Sequence, residues 1–116
     1  MNRDIELIRL ILLREEQGAP PPELAGYDAA AVAYNSVLGI EAGLLRGQIY
    51  HEGGSPVAVP TVSGITWAGH DFLDATHDAR IWKKTRNRAL ALGTSWDLLR
   101  EFIDDQARQR LELRRR

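Results

Sequence analysis

The feature that most constrains how this chain folds is a succession of structural signals in its middle third. Asp28 has the side chain of a helix N-cap, and Gly43 can end the same helix in the left-handed conformation. Residues 44–51 alternate as a strand does, and residues 57–62 predict the strand that returns. A Gly-Gly pair supplies the turn between them. We therefore predict a helix followed directly by a β-hairpin.

Helices on both sides of this stretch complete the predicted architecture. The apolar residues of segment 3–17 repeat with helical spacing, and Gly18 followed by three prolines ends that helix. Residues 67–78 and 80–92 predict two further helices, after which a last helix follows. We predict one α+β domain over residues 1–116. It is a small winged-helix-like domain, mostly helical, with one β-hairpin wing and two C-terminal helices.

Charged residues are distributed unevenly along the sequence. Residues 1–79, the predicted helix–helix–wing–helix core, hold 4 Lys/Arg and 11 Asp/Glu, a net charge of −7. Residues 80–116, a basic helix and the C-terminal helix, hold 11 Lys/Arg and 5 Asp/Glu, a net charge of +6. Such asymmetry indicates either a basic surface for an anionic partner or two halves that attract each other. Both alternatives are open on the sequence.

Composition excludes several classes of function. The chain has no cysteine, which excludes disulfides, thiolate zinc sites and cysteine nucleophiles. No apolar run is long enough to cross a membrane, and acidic residues near the N-terminus are unlike a signal peptide. The serines and histidines are too scattered for a catalytic triad, and no glycine-rich phosphate loop is present. We expect a cytoplasmic protein that is not an enzyme, needs no cofactor and does not bind a membrane.

The most distinctive segment of the sequence is 64–74. Thr66 is a suitable N-cap for the helix that follows, and Gly69 in the first turn indicates a close packing contact. Phe72 and Leu73 are predicted to point into the core. We expect Trp67 to close the edge of that core.

The one group of residues that could carry chemistry is His70, Asp74 and His77. On a continuous helix their i, i+4 and i+7 spacing places all three side chains on one face. Imidazole and carboxylate groups at that spacing can bind zinc or a similar metal. The alternative is that His70 caps or packs while the acidic residues form a solvated surface. We favour this alternative and expect no metal.

The second helix occupies the position of a recognition helix in a winged-helix protein. Rows of apolar and small residues are assigned to its inner side, which leaves four residues to face outward: Tyr34, Asn35, Leu38 and Glu41. No Lys or Arg occurs between Arg14 and Arg46, although cations supply most of the affinity for DNA. Asn35 could read adenine. The helix is nevertheless better suited to packing than to reading bases.

Basic residues that could contact phosphates are concentrated in the helix predicted over 80–92. The candidate nucleic-acid-binding residues are Arg46, Arg80, Lys83, Lys84, Arg86, Arg88 and Asn35. The alternative is a solvated helix that pairs with the acidic first half of the chain. The two interpretations of this helix make different predictions. If it pairs with the acidic half, then Lys83, Lys84 and Arg86 form ion pairs with the acidic residues Glu6, Glu15 or Asp74.

An apolar stripe runs along the predicted last helix and marks a candidate dimer interface. Its members are Trp96, Leu99, Phe102, Ile103 and Leu111. We expect this helix to pair with its copy in a homodimer.

Five segments carry a family resemblance: residues 3–13 (RDIELIRLILL), 26–34 (GYDAAAVAY), 41–45 (EAGLL), 65–74 (ITWAGHDFLD) and 82–85 (WKKT). In these the sequence resembles a family of bacterial and phage proteins defined by a domain of unknown function. That family has no assigned activity and therefore implies no catalytic residues. The glycine and leucines of 43–45 and the Thr-x-x-Gly of 66–69 also resemble bacterial winged-helix regulators, which implies DNA binding and transcription regulation.

The sequence departs from those regulators in two places. The second helix lacks cations, and the short helix that usually precedes it is replaced by residues 20–27. Within that segment we predict one strand-like pass, over residues 23–27. We expect a regulatory or accessory protein that contacts DNA through residues 80–88 and Arg46 rather than by base reading. The alternative is a protein-interaction module, a degenerate winged helix that does not bind DNA.

Overall fold

The computed structural model describes residues 2–92 and, beyond them, residues 101, 104, 105, 108, 109 and 112. The elements in chain order are α1 (Ile5–Gln17), a 3-10 helix (Pro22–Gly26), α2 (Ala29–Glu41), β1 (Leu45–Tyr50), a 3-10 turn (Glu52–Gly54), β2 (Val59–Ile65), α3 (Trp67–Ala75) and α4 (Ala79–Leu92). The predicted α+β class is confirmed. The chain forms two compact units, Met1–His70 and Asp71–Arg116. That residues 1–116 act as one domain stays a prediction.

Helix α1 begins two residues later than predicted because Asp4 caps it. The Asp4 Oδ1 atom accepts a hydrogen bond from the backbone N–H of Leu7 at 3.1 Å. Gly18 ends the helix, as predicted, and its φ of 74° is left-handed. The buried apolar residues of α1 are Leu7, Ile8, Leu10, Ile11 and Leu12. Each such side chain contributes about 1.5–3 kcal/mol when fully buried, so α1 supplies much of the core.

Residues after the prolines form a short 3-10 helix, Pro22–Gly26, so the predicted strand-like pass is wrong. Proline fixes the backbone angle φ near the helical value, which suits the first helical position. The backbone N–H of Leu24 donates to the carbonyl oxygen of Pro21, and the Leu24 side chain is buried. A short helix therefore does precede α2.

Helix α2 has the ends that the sequence predicts and a different inner face. Asp28 Oδ1 accepts from the backbone N–H of Ala31 at 2.7 Å, and Gly43 with φ of 76° follows the helix. The buried residues of α2 are Asn35, Ser36, Val37 and Gly39. The prediction that Asn35 faces outward is wrong, whereas Tyr34 and Glu41 are exposed.

The hairpin is antiparallel, and its second strand lies later than predicted. Gln48 pairs with Thr61, and a register irregularity falls between Arg46 and Gly47. Gly47 lies against the partner strand so closely that a Cβ atom there would collide with the carbonyl oxygen of Thr61. Along β1 the alternate residues Arg46, Gln48 and Tyr50 are exposed.

Helix α3 starts at a tight junction with the residues that end α2. Thr66 Oγ1 accepts from the N–H of Gly69 at 3.0 Å and donates to the carbonyl oxygen of Gly43. A Cβ atom at Gly69 would collide with the carbonyl oxygen of Leu44, so the predicted close packing is confirmed. Phe72 is fully buried and Leu73 is buried, as predicted.

Helix α4 begins after a third acidic cap, at Asp78. Asp78 Oδ1 accepts from the N–H groups of Arg80 at 2.9 Å and Ile81 at 3.2 Å. Trp82 is buried and meets Phe72 edge to face, with ring centroids 5.7 Å apart and planes at 69°. Among residues 79–87, whose side chains are described, Trp82 alone is buried.

Candidate nucleic-acid interface

Three cations occupy adjacent positions on α4. Arg80, Lys83 and Lys84 are all exposed, at the i, i+3 and i+4 spacing that places side chains on one side of a helix. A rise of about 1.5 Å per residue spreads them over about 6 Å of helix axis. Asn87 continues the same row and is also exposed. The sequence of α4 contains no acidic residue, so this row, which we call the α4 cationic face, carries charge of one sign.

The α4 cationic face is not consumed by the acidic partners that the sequence offered. Glu6 pairs with Arg9 at 3.2 Å and Glu15 with Arg14 at 3.4 Å, both within α1. Among the described residues, no ion pair involves Arg80, Lys83 or Lys84. These three cations can therefore meet an external anion without first breaking an internal pair.

Two other predicted members of this helix differ from those three. Arg86 is half-buried and has an interaction of its own within the protein. Arg88 lies in α4, and its side chain is outside the described part of the structure. The cationic face that the structure supports is thus narrower than the predicted set.

Asn35 is removed from the surface by its hydrogen bonds. Its side chain is 1% exposed, and its Oδ1 accepts from the backbone N–H of Asp4 at 2.8 Å. Its Nδ2 donates to the carbonyl oxygens of Ala31 at 3.0 Å and Asn2 at 3.4 Å. Asn35 therefore fastens the N-terminal segment to α2 and cannot reach a base edge, which corrects its assignment as a nucleic-acid-binding residue.

Arg46 remains accessible on the hairpin. It is exposed on β1 together with Gln48 and Tyr50, and the tip of the hairpin carries the exposed Glu52. One cation on this strand can contact a phosphate, but it does not form a cluster by itself. Arg46 is therefore a single exposed cation on β1.

The predicted row of His70, Asp74 and His77 on one helix face is wrong because α3 ends at Ala75. The hydroxyl of Thr76 donates to the carbonyl oxygen of Leu73 at 3.1 Å, and His77 lies in the loop that follows. His70 instead places Nδ1 3.6 Å from Glu16 Oε2. Within the described residues, no group of three or more His, Asp or Glu side chains is arranged to hold a metal ion.

Trp67 does not close the edge of the core, contrary to prediction, because 83% of it is exposed. Helical geometry supplies the signal that sequence reasoning missed. Gly69 is buried, and Trp67, two positions earlier, lies about 200° away around the helix. The residue that faces inward at the start of α3 is a glycine, and the tryptophan faces outward.

The predicted dimer interface lies outside the described residues. This applies to all five of its members: Trp96, Leu99, Phe102, Ile103 and Leu111.

Comparison with known proteins adds a family and no activity. The family model described as "Hypothetical protein (DUF2513)" matches residues 2–95. No curated protein and no solved structure matches the chain. No helix among the described residues is long and apolar enough to cross a membrane. The match covers most of the chain and agrees with the resemblance noted in the sequence, so this protein belongs to the DUF2513 family, a family of unknown function.

Proposed function

We propose that this protein is a non-enzymatic accessory or regulatory factor that binds the phosphate backbone of DNA through Arg80, Lys83 and Lys84. The observation that carries the proposal is the α4 cationic face, in which three adjacent exposed cations have no internal ion-pair partner among the described residues. Exposed cations of this kind contribute little to the stability of a folded protein. Their clustering is better explained by an anionic partner.

The physics of DNA binding fits a small cationic surface. Each phosphate that a cation neutralises releases condensed counterions, and this release supplies essentially all of non-specific affinity. Hydrogen bonds and charges on phosphates position a protein without specifying sequence. A row of Arg and Lys without an acidic neighbour in its helix has the chemistry for such contacts.

Sequence reading by α2 is not part of the proposal. That helix contains no cation, and its one amide side chain, Asn35, is buried. Specific base contacts require side chains that reach the groove, most often Arg or Lys on guanine. We therefore expect binding that is independent of DNA sequence, with Arg46 as an additional phosphate contact.

The proposal is tested by fluorescence-anisotropy titration of labelled random-sequence duplex DNA at low and at physiological salt. The comparison includes R80A/K83A/K84A and the charge-conserving control R80K/K83R/K84R. Because each phosphate contact adds about −0.9 to the slope of log affinity against log salt, the alanine variant should flatten the slope by about 2.7. The charge-conserving control should retain the slope.

Two results would contradict the proposal. One is absence of binding at low salt by the unaltered protein. The other is a salt slope that the alanine variant leaves unchanged, because the phosphates would then be contacted elsewhere.

The proposal also includes a homodimer, which needs its own measurement. A homodimer formed through the last helix would present two cationic faces to one duplex. Light scattering after size exclusion should give twice the monomer mass, 26 kDa against 13.0 kDa, at the concentrations used for binding.

A cytoplasmic location is also part of the proposal, and it is checked by fractionation of the source cells.

A second candidate function is protein interaction without DNA binding. The exposed Trp67 favours it, because tryptophan is enriched among the residues that dominate protein interfaces. If duplex DNA is not bound, this candidate becomes the leading one, and the surface around Trp67 is its starting point.

A further inference from the structure

Trp67 is an exposed aromatic side chain on a firmly held backbone. The side chain is 83% exposed, whereas the adjoining residue Thr66 is tied to the end of α2. The N–H of Thr66 donates to the carbonyl oxygen of Leu44 at 3.1 Å, and its hydroxyl bonds Gly43 and Gly69. Gly69 then packs against the Leu44 carbonyl. Trp67 therefore projects from a position that is already fixed before any partner arrives.

A histidine one helical turn after this tryptophan lies beside an acidic side chain of α1. His70 follows Trp67 at i+3, a spacing that places Cβ atoms about 5–6 Å apart on one side of a helix. His70 Nδ1 lies 3.6 Å from Glu16 Oε2, with 50% of the His70 and 40% of the Glu16 side chain exposed. Trp67 and His70 thus lie on one side of α3, and Glu16 lies beside His70. We call these three exposed residues the Trp67–Glu16 patch.

This patch has the chemistry to bind a cationic side chain, either one with a flat charged group or one with its charge on a long chain. A guanidinium or ammonium group is attracted to the face of an indole ring within about 6 Å of its centroid. The Glu16 carboxylate, which lies beside His70, supplies an ion-pair partner for that cation. We infer that the Trp67–Glu16 patch is a docking site for an arginine or lysine side chain of a partner protein.

The charge of the surrounding unit favours a cationic partner over a nucleic acid. Residues 1–70 hold 4 Lys/Arg and 8 Asp/Glu, a net charge of −4. An exposed tryptophan can also stack on a base, but a unit with a net negative charge repels phosphates and attracts a basic peptide segment. The inference goes beyond the proposed DNA contact and uses none of its residues.

The first test uses a blocked peptide of alternating glycine and arginine as the probe. The isotope-labelled full-length protein is titrated with it, and the indole N–H of Trp67 is followed by NMR. That resonance is assigned by its absence in the spectrum of Trp67→Phe. Matched peptides with glutamine or with glutamate in place of arginine are titrated in parallel. The arginine peptide should shift the Trp67 indole to saturation, and the other two should not.

The second test separates the patch from the general charge of the protein. Glu16→Gln should weaken the arginine peptide about threefold, within the range of an exposed ion pair. Trp67→Leu, followed through the His70 amide, should weaken it about fivefold by loss of the cation–π contact. Glu23→Gln removes the same charge from an exposed residue of the 3-10 helix and should leave the affinity unchanged.

Three results would overturn the inference. Equal shifts with the glutamine and arginine peptides would mean that the partner is not recognised by charge. If Glu16→Gln and Glu23→Gln weakened peptide binding equally, the attraction would depend on the net charge of the protein and not on the patch. A larger shift of the Trp67 indole with a single-stranded oligonucleotide would identify a base-stacking surface instead. The R80A/K83A/K84A variant should bind the peptide normally, which keeps this test independent of the DNA proposal.

Discussion

Helices α2 and α4 have nearly the same length and opposite chemistry. Helix α2 runs over Ala29–Glu41, where a winged-helix protein would place its recognition helix, and it turns a polar side chain inward. Helix α4 runs over Ala79–Leu92, buries Trp82 and exposes Arg80, Lys83 and Lys84. Helix α2, which lies in the expected position, is suited to packing. The exposed cations lie on α4, later in the chain.

This difference shows that position in a fold does not assign a function to a helix. Fold-level analogy assigns recognition to α2, but its surface chemistry does not support that role. The buried side chain of Asn35 forms hydrogen bonds with the backbone of Asp4, Ala31 and Asn2. In α4 the exposed cations Arg80, Lys83 and Lys84 have no ion-pair partner among the described residues. The following four predictions test the contrast.

The largest expected effect on stability concerns Trp82, the one residue of 79–87 that is buried. Trp82→Ala removes the ring that meets Phe72 and should lower the free energy of unfolding by about 3–5 kcal/mol. Ile81→Ala, at a neighbour that is 39% exposed, is the matched control and should cost much less. Urea denaturation gives both values. Equal losses would mean that α4 has no inner face.

The next effect should appear in stability but not in DNA binding. Asn35→Ala leaves the N–H of Asp4 and the carbonyl of Asn2 without their bonds to this side chain, which should cost about 2–3 kcal/mol. Tyr34→Ala, at a residue 37% exposed, is the control and should cost less. Duplex affinity, measured by anisotropy where the variant is folded, should not change. A loss of affinity in folded Asn35→Ala would return α2 to the interface.

The two acidic caps provide a matched comparison between the helices. Asp28→Ala and Asp78→Ala each remove a carboxylate that accepts backbone N–H bonds, and each should cost about 1 kcal/mol. Thermal unfolding should therefore rank the two variants close together. Only Asp78→Ala should tighten DNA binding, because it removes a negative charge next to Arg80. Equal changes in DNA affinity would show that the charge acts through the whole protein.

The smallest expected effect concerns the hairpin. Arg46→Ala should reduce duplex affinity about twofold at low salt and flatten the salt slope by at most about 0.9, the value of one phosphate contact. Arg80→Ala should produce a clearly larger loss under the same conditions. If Arg46→Ala has the larger effect, the hairpin is the principal contact and the contrast between α2 and α4 does not decide binding.

Much of the fold could be predicted because its signals are local. The caps at Asp28 and Thr66 and the left-handed glycines Gly18 and Gly43 depend on a few neighbouring residues. Helix boundaries therefore agree to within a few residues. The 3-10 helix Pro22–Gly26 was missed because a five-residue segment has no period to detect.

The errors at the candidate site come from contacts that sequence spacing does not show. The apolar and small-residue rows of α2 leave Asn35 facing outward, but its hydrogen-bond partner Asp4 lies 31 positions away. His77 was assigned to a helix that ends at Ala75 without a glycine or proline. Trp67 was assigned to the core because it is large and aromatic. In each case a tertiary contact or a helix end outweighed residue type.

The measurement that tests the central claim most directly is NMR mapping of a duplex titration on the isotope-labelled protein. The account predicts that backbone amide shifts concentrate in residues 79–87 and leave residues 29–41 nearly unmoved. The R80A/K83A/K84A variant should lose the first set of shifts. Shifts concentrated in residues 29–41, with residues 79–87 unmoved, would contradict the account and make α2 the DNA-binding helix.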